Sequence, residues 1–170
     1  MSSRTVRLII AVASICALAA PAGAQPLVRK DLSLAMALTI ATTASEACKA
    51  LNQRVSVTVV GRNGEIIVQL RGDNASPHTV ENSFRKAYTA RTFRVPSAEI
   101  VKRLKDNPQL GAIHLTNVVA AQGALPIMIG GDVIGAAGVS GAVTTPESPG
   151  GVKDEGCVKA GIDKVADQLK

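Results

Sequence analysis

The sequence predicts an α+β fold, helices packed on an antiparallel sheet, and three observations predict it. Two β-branched stretches are each broken by a tight-turn signal, Asn63-Gly64 in "VSVTVVGRNGEIIVQLR" and Gly131-Asp132 between "LPIMI" and "VIGAAGVSG". Such pairs mark hairpins, and hairpins imply antiparallel pairing. Apolar residues recur at helical spacing before, between and after these stretches. The order is helix, two strands, two helices, two or three strands, helix, which is not the strand-helix alternation of a doubly wound parallel sheet.

The first helix is expected from Asp31 to Leu51, with Leu34, Ala37, Leu38, Ala41, Ala44, Cys48 and Leu51 on its buried face. In the first hairpin Val55, Val57 and Val59 alternate with Ser56, Thr58 and Val60, and Ile66, Val68 and Leu70 repeat the pattern, so one face should rest on helices. "RGDNASPH" is a turn-rich break in which Ser76 supplies an N-cap and Pro77 a first helical position. Val80, Phe84, Ala87 and Tyr88 then form the apolar side of a second helix that also carries Arg91 and runs to about Phe93. "VPSAEIVKRLKDNP" predicts a short third helix that starts at Ser97 and stops at Asn107-Pro108. His114 to Val119 reads as strand or as irregular chain. "TTPESPGGVKDEG" is expected to be a mobile loop, and Asp154 and Glu155 to start a last helix burying Val158, Ile162, Val165, Ala166 and Leu169.

The glycine run "GGDVIGAAGVSGA" raises a separate question, since glycines in an apolar setting can also cradle a phosphate. Its spacing from Gly135 is G-x-x-G-x-x-G, with no following Lys-Ser or Lys-Thr and no helix opening on it, so neither a P-loop nor a dinucleotide fingerprint is matched. The hairpin is the reading adopted. Gly135 and Gly138 are then expected to permit close backbone or subunit approach.

Arg4 and Arg7, an apolar run from Leu8 to Ala20 and "PAGA" ending at Ala24 follow the order of a secretory signal peptide. The run is shorter than the ~20 residues of a spanning helix. Residues 1–24 are therefore expected to be removed and 25–170 to form a single exported domain, periplasmic or secreted, without a membrane anchor. Loss of the two arginines lowers the formal net charge of +6. Nucleic acid is not an expected partner, because export removes it and one tyrosine and two phenylalanines offer little stacking surface. Cys48 and Cys157 remain. They lie near the end of the first helix and the start of the last, so antiparallel packing would bring them level for one disulfide.

"VSVTVVGRNGEIIVQLRGDNA", "RKAYTARTF", "LPIMIGGDVIGAAGVSGA" and "DEGCVKAGI" occur in the order seen in the GlcG/HbpS-like haem-binding family, which the chain resembles over almost all of residues 25–170. The family is also similar to a C-terminal domain of some cobalamin adenosyltransferases. The resemblance implies a profilin-like sandwich, a homo-oligomer, and haem or a related tetrapyrrole as ligand. Two departures stand out. The usual Gly-Gly-Leu-Pro-Ile is Gly123-Ala124-Leu125-Pro126-Ile127 here, and the usual Val-Val-Asp is Val59-Val60-Gly61, which removes a carboxylate.

Haem iron takes His, Cys, Met or Tyr as axial ligand. His78, at the start of the second helix, is the candidate metal ligand, and a solvated first-turn residue is the plainer alternative. Phe84 and Tyr88 are candidates for porphyrin contact, although Tyr88 on an apolar stripe also reads as core. His114 is a further candidate, expected to be partly buried and structural. Arg71, Arg85, Lys86 and Arg91 are candidates to neutralise propionates or a solvated face. Asp154 and Glu155 fit a helix N-terminus on dipole grounds better than an acid/base or metal pair. Ser140 lacks the G-x-S-x-G elbow. Three functions remain open: an exported, non-enzymatic haem-binding or haem-sensing oligomer, a tetrapyrrole-modifying or haem-degrading enzyme, and an oligomeric small-molecule sensor without haem.

Overall fold

The computed structural model describes residues 25–170. The signal peptide read in residues 1–24 lies outside the described residues. Helix α1 (Leu34–Ala50) is followed by strands β1 (Ser56–Val60) and β2 (Ile66–Arg71), helices α2 (His78–Phe93) and α3 (Ser97–Asp106), strands β3 (Ala124–Ile129) and β4 (Asp132–Ser140), and helix α4 (Gly150–Asp163). The four strands form one sheet in the order β2-β1-β4-β3, with every neighbouring pair antiparallel. The α+β class is therefore the one observed, and both expected hairpins form, the second turning one residue earlier than its Gly131-Asp132 signal. Ile129 pairs with Asp132, which leaves Gly130-Gly131 as a two-residue loop, and Gly130 has φ +57°, a conformation that glycine adopts freely.

Helices cover both faces of the sheet. On one face α1 and α4 enclose the main core, where Ile40, Ala41 and Ala44 of α1 and Val158 of α4 meet Val57, Val59, Ile134 and Val139. Each large side chain buried there contributes roughly 1.5–3 kcal/mol. Cys48 and Cys157 are disulfide-bonded with Cα atoms 5.5 Å apart, so the expected approach of the two helices is found. Leu34, Leu38 and Leu51, expected on the buried face of α1, are exposed, and Ile40 is buried instead. The packing face follows Ala37, Ala41 and Ala44 because α4 comes close at Gly161, where a Cβ would collide with the backbone of Ile40.

Helix α2 covers the other face, against β1 and β4, with α3 beside it. β1 is buried along its whole length, so both faces of the first hairpin's inner strand are covered rather than one. Ser56 Oγ lies 2.8 Å from Thr79 Oγ1, and Thr58 Oγ1 lies 2.8 Å from Ser83 Oγ. These hydroxyls satisfy one another, which is what permits a polar strand face to be buried. Between helix and sheet sit small residues, Ala87, Ala90, Ala124 and Ala136. Gly138 completes the fit, since a Cβ there would stand 2.5 Å from the Ser83 carbonyl oxygen. The expected close approach at this glycine is thus made to the backbone of α2.

The last helix starts at Gly150, four residues earlier than its carboxylates suggest, and the chain from His114 to Val119 is irregular after a short 3₁₀ turn at Gly111–His114. No helix among the described residues is long and apolar enough to cross a membrane.

Candidate functional site

The seating of α2 decides which side chains remain available. Its buried residues are Thr79, Ser83, Lys86, Ala87, Thr89 and Ala90. The apolar stripe Val80–Phe84–Tyr88, expected to be buried, is therefore only half-buried. The reason lies in β1 and β4, whose Ser56, Thr58 and Gly138 select the helix face that is small and hydroxyl-bearing.

Two flanks of α2 result. On the β2 side run Phe84, Tyr88 and, seven residues after Phe84, Arg91, spaced to share one face of a helix. The Phe84 and Tyr88 ring centroids are 5.8 Å apart with planes at 56°, a favourable tilted contact. Tyr88 lies over the β1–β2 turn, where a Cβ on Gly64 would come within 2.6 Å of its ring. On the other flank are Asn82, which donates to Ser140 Oγ at 2.9 Å, and Arg85, which donates to the Val118 carbonyl at 2.9 Å. His78 belongs to this second flank, four residues before Asn82 and seven before Arg85. It is exposed. Ten residues of helix put it ~15 Å along the axis from Tyr88, and it points ~120° round the axis from Phe84. One copy of the chain thus brings Phe84 and Tyr88 together and leaves His78 apart from them.

His114 ends the 3₁₀ turn and is exposed, which corrects the expectation of a partly buried, structural histidine. Of the other residue types that bind haem iron, Cys48 and Cys157 are used in the disulfide, Met36 packs against the core, and Met128 of β3 is exposed. No group of three or more His, Cys, Asp or Glu among the described residues is placed to hold a metal ion.

Charge is unevenly satisfied around α2. Lys86, read from sequence as a possible surface cation, is buried and pairs with buried Asp154 at 2.8 Å while also donating to the Val139 carbonyl at 3.0 Å. Asp154 accepts from the Ala142 amide at 3.0 Å. Burial pushes the Asp154 carboxyl above the usual carboxylate range, and Lys86 pulls it back only in part. Asp154 is thus neither at the start of α4 nor a free acid, but a strut from α4 to α2. Arg71 donates to the Ala75 carbonyl.

At the C-terminal end of α2 the balance differs. Arg62, in the β1–β2 turn, is buried and donates to Asp132 Oδ2 at 2.8 Å and to the Lys30 carbonyl. Its Nε is buried without a partner, as is that of Arg91. Burial, then repulsion from Arg94 and Arg62, lowers the pKa of Arg91 below the usual arginine value. Sequence reasoning named Arg91 but not Arg62 or Arg94, because the turn that delivers Arg62 beside the helix is a tertiary contact. A polar cleft of about 540 Å³ lies at the opposite end of the sheet, lined by Lys49, Arg54, Asp73 and the propionate candidate Arg71 among others, and by none of His78, Phe84, Tyr88 and His114.

The model of the family described as haem degrading protein HbpS-like matches residues 32–163, the span from the residues before α1 to the end of α4. The chain belongs to the HbpS-like family. A 15.0 kDa protein from the dhaT-dhaS intergenic region of Citrobacter freundii is 34% identical over 113 residues, covering 65% of this HbpS-like chain and 80% of its own length. The crystal structure of HbpS superposes with a TM-score of 0.76 at 33% identity, over 86% of this chain and 98% of that one. The crystal structure of a PduOC:heme complex gives 0.67 at 23% identity, over 79% and 94% of the two chains, which shows a shared fold.

Proposed function

We propose that this HbpS-like protein is an exported, non-enzymatic haem-binding or haem-sensing protein that acts as an oligomer. The observation that carries the reading is the half-exposed Phe84–Tyr88 pair, which the fold leaves on the outside of α2 while turning the polar face of that helix inward. In a chain with one other aromatic, Phe93, this is a costly use of aromatic surface unless a ligand or a second copy covers it. Membership of a family described by haem chemistry, and a fold shared with a haem complex, favour the ligand. The residues fit that group: an aromatic contact, an under-neutralised arginine beside it for the propionates, and an exposed imidazole for iron.

His78 is the axial ligand in this reading. Because His78 leaves α2 ~15 Å along the axis from Tyr88, ring contact and ligation in one site join two copies, with His78 supplied by the second. Bound haem would supply a redox-active iron, and the chain's part is to hold it. The Cys48–Cys157 disulfide supports an oxidising, extracytoplasmic location.

Haemin titration of the protein at high and low concentration tests this. A Soret shift is expected that weakens on dilution, and His78→Ala should move the Soret maximum and lower affinity about tenfold or more, whereas His114→Ala should leave both unchanged. Reversal of the two variants would transfer the ligand role to His114, and no shift in the parent would leave the haem-free sensor. The family's description supports a second reading, degradation of the bound haem. Loss of the Soret band on adding ascorbate would establish that reading, and a stable band would favour binding alone.

A further inference from the structure

The arginines at the end of α2 are incompletely partnered. Arg62 has a side chain only 9% exposed, and its Nε, like that of Arg91, is buried with no hydrogen-bond partner. Among the described residues Arg91 and Arg94 take part in no salt bridge, and the nearby acids are already engaged. Asp132 is held by Arg62 at 2.8 Å, and the Glu65 carboxylate accepts the Asn63 amide of its own turn at 2.9 Å. A buried guanidinium donor without an acceptor is costly, and cations that repel one another add to that cost. Arg91 is only half-buried and donates no hydrogen bond among the described residues, so the outer nitrogens of its guanidinium are open to an anion from outside the chain.

The placement of these groups defines the anion. Phe84, Tyr88 and Arg91 follow one face of α2 at i, i+4 and i+7, so an apolar strip ends in a cation. Guanidinium groups are suited to carboxylates because their N–H groups match both oxygens. A ligand that satisfies both parts is a flat apolar ring with carboxylates along one edge.

We infer that Arg91, with Arg94 and Arg62 beside it, receives the carboxylates of a ring ligand that lies on Phe84 and Tyr88. Taken with the haem reading, on which the ligand's identity rests, this orients the macrocycle: its propionate edge points to the β1–β2 and β3–β4 turns. The carboxylate site itself makes no use of iron.

The test compares three probes on the oligomeric protein: haemin, haemin dimethyl ester, whose carboxylates are masked, and iron-free protoporphyrin IX. Haemin should bind about tenfold or more tighter than its diester, the scale of a charge-assisted hydrogen bond. Arg91→Gln should abolish that preference while leaving diester affinity within about twofold, and Arg94→Gln, at an exposed position, should reduce the preference without disturbing the fold. Protoporphyrin IX, followed by fluorescence, should bind with the same dependence on Arg91. Equal affinity for haemin and diester, or equal losses for both in Arg91→Gln, would overturn the site. Arg91-dependent binding of protoporphyrin IX without a haemin Soret shift would uphold the carboxylate site and remove the iron reading, and no binding of any probe would overturn both.

Discussion

Two groups of charge beside α2 differ in how completely they are neutralised. Lys86 is paired on two sides: it has a buried carboxylate at 2.8 Å, a carbonyl at 3.0 Å, and a partner acid that is itself held by the Ala142 amide. The Arg62–Arg91–Arg94 group has more cations than engaged acids and two buried nitrogens without acceptors. A buried cation with its charge neutralised by a buried acid belongs to the fold, since the pair joins α2 on one face of the sheet to α4 on the other. A cationic group left incomplete in a protein whose other buried polar groups are so carefully matched belongs to something outside the chain.

The largest effect should come from breaking the complete pair. Asp154→Ala leaves Lys86 charged and buried, and removes the acceptor of the Ala142 amide, so a loss of about 3–5 kcal/mol is expected in urea unfolding. Replacing both partners by apolar residues, Lys86→Met with Asp154→Leu, should recover most of it, because the cost is that of the stranded charge. A loss below about 1 kcal/mol for the single variant would mean that water reaches Lys86, and the contrast between the two groups would fail.

The incomplete group should respond in the opposite direction. Arg91→Met removes an unpartnered buried donor and its repulsion with Arg94 and Arg62, so the protein without ligand should be unchanged or more stable by about 1 kcal/mol or less. Groups placed for binding commonly cost stability in this way. A loss as large as that of Asp154→Ala would show that Arg91 holds the fold together and would end its assignment to a ligand.

This contrast also marks what the sequence could reveal. Local signals were sufficient for the two hairpins, the four helices and the approach of Cys48 to Cys157, because turn residues and helical spacing act within a few residues. The faces were harder. In β1 the alternation of Ser56 and Thr58 with valines suggested that one face of the hairpin rests on helices, yet both faces of this strand are covered, since Thr79 and Ser83 reach down to the hydroxyls. In α2 the apolar stripe suggested the buried side, yet tertiary matching to β1 and Gly138 turned it outward. Asp154 has the sequence signature of a helix-start carboxylate, and no local rule exposes its pairing with Lys86, 68 residues away. Arg62 gave no signal for the same reason. The candidate site was legible as a set of residue types, and its arrangement depended on how one helix was rotated against the sheet.

The smallest expected effect is a pH slope that sets the two acids apart. Asp132 is exposed, and the hydrogen bond from Arg62 holds its carboxyl below the ordinary value of 3.8, with the charges of Arg62, Arg29 and Arg94 adding to the shift. A lowered folded value means that the unfolded chain binds the proton more readily, so this stabilisation is present in full above 3.8 and is lost as pH falls through the lowered value. Asp154 has the opposite sign. Its raised value means that the folded protein holds the proton more readily, so its share of stability falls as pH rises from 3.8 toward that value. Comparing Asp132→Asn with the parent cancels Asp154, which is common to both. The variant should be slightly less stable near pH 6, the gap should narrow with added salt, as for any exposed pair, and it should close as pH drops below 3.8. A gap that stayed constant through acid would mean that Asp132 contributes by shape rather than charge, and the arginines of this group would then lack even the one counter-ion assigned to them.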